Sequence, residues 1–222
     1  MRTKNITLFT PVGHVGRKIA EEALSRGHGV KVVVSDKAEF NLKHPNLSIM
    51  SGNIHSSEEV STCAKGSDLV IFVNELKENR EGECFNATRS ILTGIKQAGI
   101  KFLIVSGYGL HFDPTISEAE QETWSAVEEE QLASIRLLER EPEIRWRYFY
   151  ITTQEPGQNN YIPVRNTNFV LNMPCAEDSI SIDEYATTIM EEVEKHSKEK
   201  KYKEAAILSN SFHNNRIYNN LN

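Results

Sequence analysis

Short apolar runs alternate with stretches of helical periodicity along the first half of the chain. Ile6-Thr7-Leu8-Phe9 has the form of a buried strand, and Val15, Ile19, Ala20, Ala23 and Leu24 then recur at helical spacing. Gly27 and Gly29 stop that helix, and the β-branched run Val30-Lys31-Val32-Val33-Val34 follows as a second strand. Leu47 to Met50 is a weaker third strand. Ser56 followed by Glu59 is a capping-box pattern that opens a short helix. Asp68 to Val73 is another buried strand. Phe85, Thr88, Ile91, Leu92 and Ile95 mark a helix ended near Gly99, and Lys101 to Val105 is a fifth strand.

The second half is less regular. Ser117 with Glu120 repeats the capping pattern and opens a long helix through Trp124, Val127, Leu132, Ile135 and Leu138, closed at Pro142. Arg145 to Ile151 alternates and is aromatic-rich, as a strand is. Residues 154–174, rich in Asn, Gln and Pro, read as loops with one short hairpin. Ser181 and Glu184 cap a last amphipathic helix with Tyr185, Ile189, Met190 and Val193 on one face. Ala205 to Leu208 forms a final strand, and the polar end from Asn214 frays. Strands alternating with helices predict an α/β fold: a single doubly wound, Rossmann-type parallel sheet with helices on both faces. Residues 1–222 make one domain, its substrate side drawn from about 108–180.

Composition narrows the function classes. The 222 residues are 39% hydrophobic, enough for a full core and too much for a disordered chain. Lys and Arg number 25 against 31 Asp and Glu, a net charge of −6, which lacks the basic footprint of a direct nucleic-acid binder. No apolar run approaches the roughly 20 residues of a membrane span, and the N-terminal one is too short for a signal peptide. Cys63, Cys84 and Cys175 have no paired spacing, so neither a disulfide framework nor a metal set is expected. A cytoplasmic monomer or homodimer acting on a small molecule is the expectation.

The most informative stretch is Thr10-Pro11-Val12-Gly13-His14-Val15-Gly16, between the first strand and the first helix. A dinucleotide pyrophosphate sits at such a helix N-terminus, where three glycines serve a tight turn, close backbone approach and helix–strand packing. Gly13 and Gly16 supply the second and third. Thr10 stands at the first, where a β-branched residue resists positive φ. Pro11 pushes Thr10 towards extended geometry and removes an N–H. The turn is therefore expected to be altered and pyrophosphate binding weakened. Asp36 follows the second strand, 20 residues after Gly16. Its carboxylate suits the ribose hydroxyls of NAD and opposes a 2′-phosphate, although Lys37 beside it acts in the other direction. Ser35-Asp36 as a turn and helix cap is the structural alternative.

These residues, with Glu22 to Val30, resemble the atypical short-chain dehydrogenases, and among them the NAD(P)H-binding, NADH-flavin reductase and NmrA-like groups. Gly52-Asn53-Ile54, Gly66 to Ile71, Ala98 to Gly107 and Ile180 to Ala186 extend the likeness. It implies a dinucleotide across the strand C-termini. Thr10 to Gly16 would hold the pyrophosphate, Ser35 and Asp36 the adenosine ribose, and Asn53 and Ile54 would flank adenine. Val73 and Asn74 would line the cleft, with Ser106 and Gly107 near the nicotinamide. NAD(H) is favoured over NADP(H), with flavin a possible substrate. The Tyr-x-x-x-Lys pair that serves alcohol–ketone chemistry is absent. The implied activity is hydride transfer from NAD(P)H to a flavin or a small quinone or carbonyl acceptor. Ser106 and Tyr108 are the candidate catalytic residues. Two alternatives stay open: a non-catalytic NAD(P)-sensing or interaction protein, and a degenerate Rossmann fold that has lost its cofactor. His14 and His111 read as exposed, Cys63 and Cys84 as structural thiols, and the glutamates from Glu118 to Glu130 as a solvated face.

Overall fold

A computed structural model describes residues 3–74, 82–108, 118–151, 170–172, 181–195 and 203–208. The strands are β1 (Asn5–Phe9), β2 (Gly29–Val34), β3 (Leu47–Ser51), β4 (Leu69–Asn74), β5 (Phe102–Tyr108), β6 (Arg145–Ile151), β7 (Val170–Asn172) and β8 (Lys203–Leu208). The helices are α1 (His14–Ser25), α2 (Ser57–Ala64), α3 (Glu83–Gln97), α4 (Glu118–Glu139) and α5 (Ile182–Lys195). One sheet forms in the order β3-β2-β1-β4-β5-β6-β8-β7, and every pairing is parallel. The predicted α/β Rossmann-type fold is the fold observed.

Parallel strands covered on both faces must be apolar along their whole length. β4 meets that demand: all six of its residues are buried. Alternate side chains feed two cores. Leu8, Val32, Ile71, Ile104 and Phe149 pack with the apolar faces of α1 and α5. Phe9, Val33, Phe72, Val105 and Tyr148 pack with α2, α3 and α4. α5 closes the first core through Tyr185, Ile189, Met190 and Val193, the face its periodicity predicts. Each fully buried aliphatic side chain contributes roughly 1.5–3 kcal/mol.

Local signals held where a single element decided them. Ser181 Oγ accepts from the Glu184 N–H at 3.1 Å, and the Glu184 carboxylate accepts from the Ser181 N–H at 2.8 Å, a complete capping box. At α2 the box is half made: Ser56 Oγ accepts from the Glu59 N–H, but Glu59 turns to the Asn53 N–H at 3.0 Å. Ser117 lies outside the described residues. In the stretch expected to be loops with a hairpin, the described part is a strand. Val170–Asn172 pairs in parallel with β8, so this edge is closed by a late crossover.

Candidate functional site

Strand order reverses between β1 and β4, and the crevice beyond the strand C-termini at such a point is where α/β folds receive ligands. The Thr10–Gly16 turn opens there. Thr10 has φ of 55°, the left-handed region, and is the one non-glycine with positive φ among the described residues. The expectation that Thr10 would resist this conformation, and that Pro11 would hold it extended, is therefore corrected. The physical reason is a pair of hydrogen bonds. The Thr10 N–H donates to Val33 O at 2.9 Å, and Thr10 Oγ1 donates to Val73 O at 2.6 Å. A left-handed residue with a Cβ costs about 1–2 kcal/mol, and two bonds of about 1 kcal/mol each offset it. The turn is tight as a first glycine would make it.

Gly13 caps α1 in extended geometry, with φ −88° and ψ −175°. Gly16 lies against the backbone of Pro11, where an added Cβ would come within 2.4 Å of Pro11 Cα. Only a glycine lets α1 start this close to the turn. Pro11 and Val15 are buried, whereas Val12 and His14 are exposed. The first turn of α1 carries no acidic residue, which suits an anionic ligand.

At the end of β2, Asp36 Oδ1 accepts from the Ala38 N–H at 2.9 Å and caps a single 3-10 turn, Lys37–Glu39. Ser35 Oγ donates to Glu39 Oε2 at 3.0 Å. Asp36 thus makes the cap that was its structural alternative, and it stands exposed just beyond the end of β2. Asn53 is exposed and accepts from the His55 N–H at 2.9 Å, and Ile54 is buried in the core with Phe9 and Val33.

Val73 and Asn74 end β4, both buried, beside Ser106 and Gly107 of β5. Asn74 Nδ2 donates to Cys84 Sγ at 2.7 Å, and Cys84 Sγ lies 3.4 Å from Ser134 Oγ. Burial pushes the thiols of both Cys84 and Cys63 up, so neither is an activated nucleophile. Ser106 is 3% exposed and its hydroxyl meets Tyr185 Oη at 2.8 Å, which in turn donates to Phe149 O. Gly107 gives room to Tyr148, whose Oη would stand 2.7 Å from an added Cβ. Tyr108 ends β5, its side chain outside the described residues. His111 and Cys175 also lie outside them.

The turn, the β2 end and the β4–β5 ends all lie at the C-terminal ends of neighbouring parallel strands. A family profile for NAD(P)H-binding domains matches residues 12–202. The chain belongs to the NAD(P)H-binding family. No curated protein matches it in sequence. Among solved structures it is similar to an epimerase candidate from Bacteroides thetaiotaomicron, at TM-score 0.68 and 22% identity, covering 96% of this chain and 100% of that one. It is also similar to ChuY, an anaerobillin reductase from Escherichia coli O157:H7, at TM-score 0.66 and 13% identity, with 96% and 100% covered. A short-chain dehydrogenase/reductase from Veillonella parvula in complex with NADP gives TM-score 0.61 at 13% identity, with 92% and 93% covered. At these identities the likeness is one of fold.

Sequence reasoning missed the partners that come from distant elements. Glu130 of α4, read as part of a solvated face, instead accepts from the N–H groups of Gly82 and Cys84 at the start of α3. Tyr185 was legible as a core residue, but not as the partner of Ser106 from 79 positions away. No described helix is long and apolar enough to cross a membrane. Among the described residues no group of three or more His, Cys, Asp and Glu is placed to hold a metal ion.

Proposed function

We propose that the chain is an NAD(P)H-dependent oxidoreductase whose acceptor is a flavin or a small quinone or carbonyl compound. The observation that carries this reading is Thr10. Its left-handed backbone restores the tight turn that the sequence put in doubt, and it weighs against a degenerate fold. Backbone from Thr10 to Gly16 receives the pyrophosphate. Asp36 accepts from the adenosine ribose hydroxyls, which favours NADH. Asn53 and Ile54 border adenine, and Val73 and Asn74 form the crevice wall.

Bound NAD(P)H supplies a hydride; the protein's part is to align donor and acceptor and exclude competing reactions. Ser106, pinned to Tyr185, fixes the end of β5 beside the nicotinamide end. Tyr108 orients the acceptor, and solvent supplies the proton. A dinucleotide-sensing role is the second reading, favoured by the missing Tyr-x-x-x-Lys pair.

The test is a titration with NADH and NADPH followed by nicotinamide fluorescence, then turnover assays with flavin and quinone acceptors. Micromolar binding, about 8 kcal/mol, with turnover supports the oxidoreductase. Binding without turnover of any acceptor transfers support to the sensor. Absence of binding at millimolar concentration would sink both. Gly16→Ala serves as the control, losing affinity by about tenfold or more if the turn holds the pyrophosphate.

A further inference from the structure

We infer that the buried amides of Asn74 and Gln131 form a subsite for the hydride acceptor, and that it takes a heterocycle whose edge carries an N–H, as the imide edge of a flavin does, in preference to a quinone. The inference rests on the oxidoreductase reading above and narrows its acceptor classes to one.

The two amides reach the same place from different elements. Asn74 ends β4 and is 5% exposed. Its side chain follows Val70 and Phe72 onto the face that packs with α2, α3 and α4. Gln131 is 4% exposed and belongs to the buried stripe of α4 that continues through Ser134, Ile135 and Leu138. Cys84 ties the two together. Its Sγ accepts from Asn74 Nδ2 at 2.7 Å and lies 3.4 Å from Ser134 Oγ, and its N–H donates to Glu130, the neighbour of Gln131. α4 follows the C-terminal end of β5 and precedes the start of β6, so Gln131 stands about one turn nearer the strand C-termini than Ser134. Gly107, the Cα partner of Asn74, has no side chain, and the phenol of Tyr148 lies against it.

Asn74 Oδ1 and Gln131 Oε1 are buried and have no hydrogen-bond partner among the described residues. Because Asn74 Nδ2 is spent on Cys84, what this amide still offers is an acceptor. Ser134 does not supply the missing donor, since its hydroxyl hydrogen goes to Glu130 O at 2.9 Å. The group that satisfies such oxygens is an N–H of a ligand. An imide presents one between two carbonyls. A quinone presents acceptors only and would set oxygen against oxygen. Unpaired polar atoms in the interior destabilise a fold, so two of them at the strand ends fit groups kept for a ligand rather than for packing.

The experiment measures Kd for lumiflavin, 3-methyllumiflavin and menadione, without cofactor and with saturating NAD+, the flavins by fluorescence quenching and menadione by competition. Lumiflavin carries the imide N–H, its 3-methyl derivative has lost it, and menadione never had one. The wild-type protein should bind lumiflavin about five- to tenfold more tightly than 3-methyllumiflavin, and more tightly than menadione. Gln131→Met keeps the length of the side chain and loses the acceptor. It should erase most of that difference while its melting temperature holds or rises. Asn74→Leu removes the other acceptor at similar volume and should act in the same direction on the affinities. A difference that persists in both variants is steric and overturns the assignment. Equal wild-type affinities for the two flavins, or tighter binding of menadione, overturn it as well. A lower melting temperature of Gln131→Met makes Gln131 a structural residue and also overturns it. Lumiflavin that fails to bind while NADH binds removes the subsite and leaves the dinucleotide reading standing. Failure of both to bind removes that reading and this inference with it.

Discussion

Thr10 holds a conformation that its type disfavours, and the hydroxyl is what makes it tolerable. Thr10→Ser should therefore keep near wild-type stability, because Oγ remains for Val73 O. Thr10→Val keeps the shape and the strain but loses the donor, and should cost about 1–2 kcal/mol in urea unfolding. Equal stability of the Val and Ser variants would show that the bond contributes nothing. A second residue-scale prediction concerns His28, 1% exposed. Its Nδ1 accepts from the Lys4 N–H at 3.2 Å, and Nε2 faces Glu194 at 3.5 Å, with Arg26 also on that carboxylate. Burial holds the imidazole below its ordinary value despite Glu194. The unfolded chain then binds the proton more readily than the folded one. Stability is complete above about pH 6.5, the unfolded value, and falls as pH drops towards the folded value. Urea midpoints at pH 7.5 and 5.5 should show that loss, and His28→Gln should lessen it. An identical pH dependence in the variant would remove His28 as its source.

At the scale of elements, helix packing on the α2–α3 side depends on one small residue. An added Cβ at Gly94 would stand 2.6 Å from both Ser57 O and Val60 Cβ, backbone and β-branched neighbours that cannot rotate away. Gly94→Ala should destabilise by about 1–3 kcal/mol through overpacking, although alanine is the better helix former. A melting temperature raised by the substitution would mean that α2 shifts freely. The elements themselves were legible in the sequence. Val30 to Val34 is β-branched at every position but Lys31, and Tyr185, Ile189, Met190 and Val193 recur on one helical face, so local pattern and tertiary environment agree. What local pattern does not carry is the cap that one helix lends another. Glu130 sits among glutamates that look solvated, and nothing in its neighbours announces that α3 begins beside it. The Thr10 conformation was misjudged for the same reason: steric preference is local, whereas its compensation comes from β2 and β4.

For the whole molecule, the eight-stranded parallel order collects the candidate residues at the C-terminal ends of its strands. The sequence placed Thr10 to Gly16, Asp36, Asn74 and Ser106 at strand ends, and alternation of strand and helix was sufficient to bring those ends together. The polar contacts behind them, Asn74 with Cys84 and Ser106 with Tyr185, depend on register between distant segments and had no sequence signal. The Thr10 hydroxyl also acts at this scale. β1 and β4 are the seam between the first mononucleotide half and the second, and Thr10 Oγ1 bridges that seam at its open end. The turn and the end of β4 are thereby tied by a side-chain bond as well as by the strand pairing. If NADH binds at the turn, amide hydrogen exchange should slow in the last residues of β4, and Thr10→Val should weaken that response while the β1–β4 pairing persists.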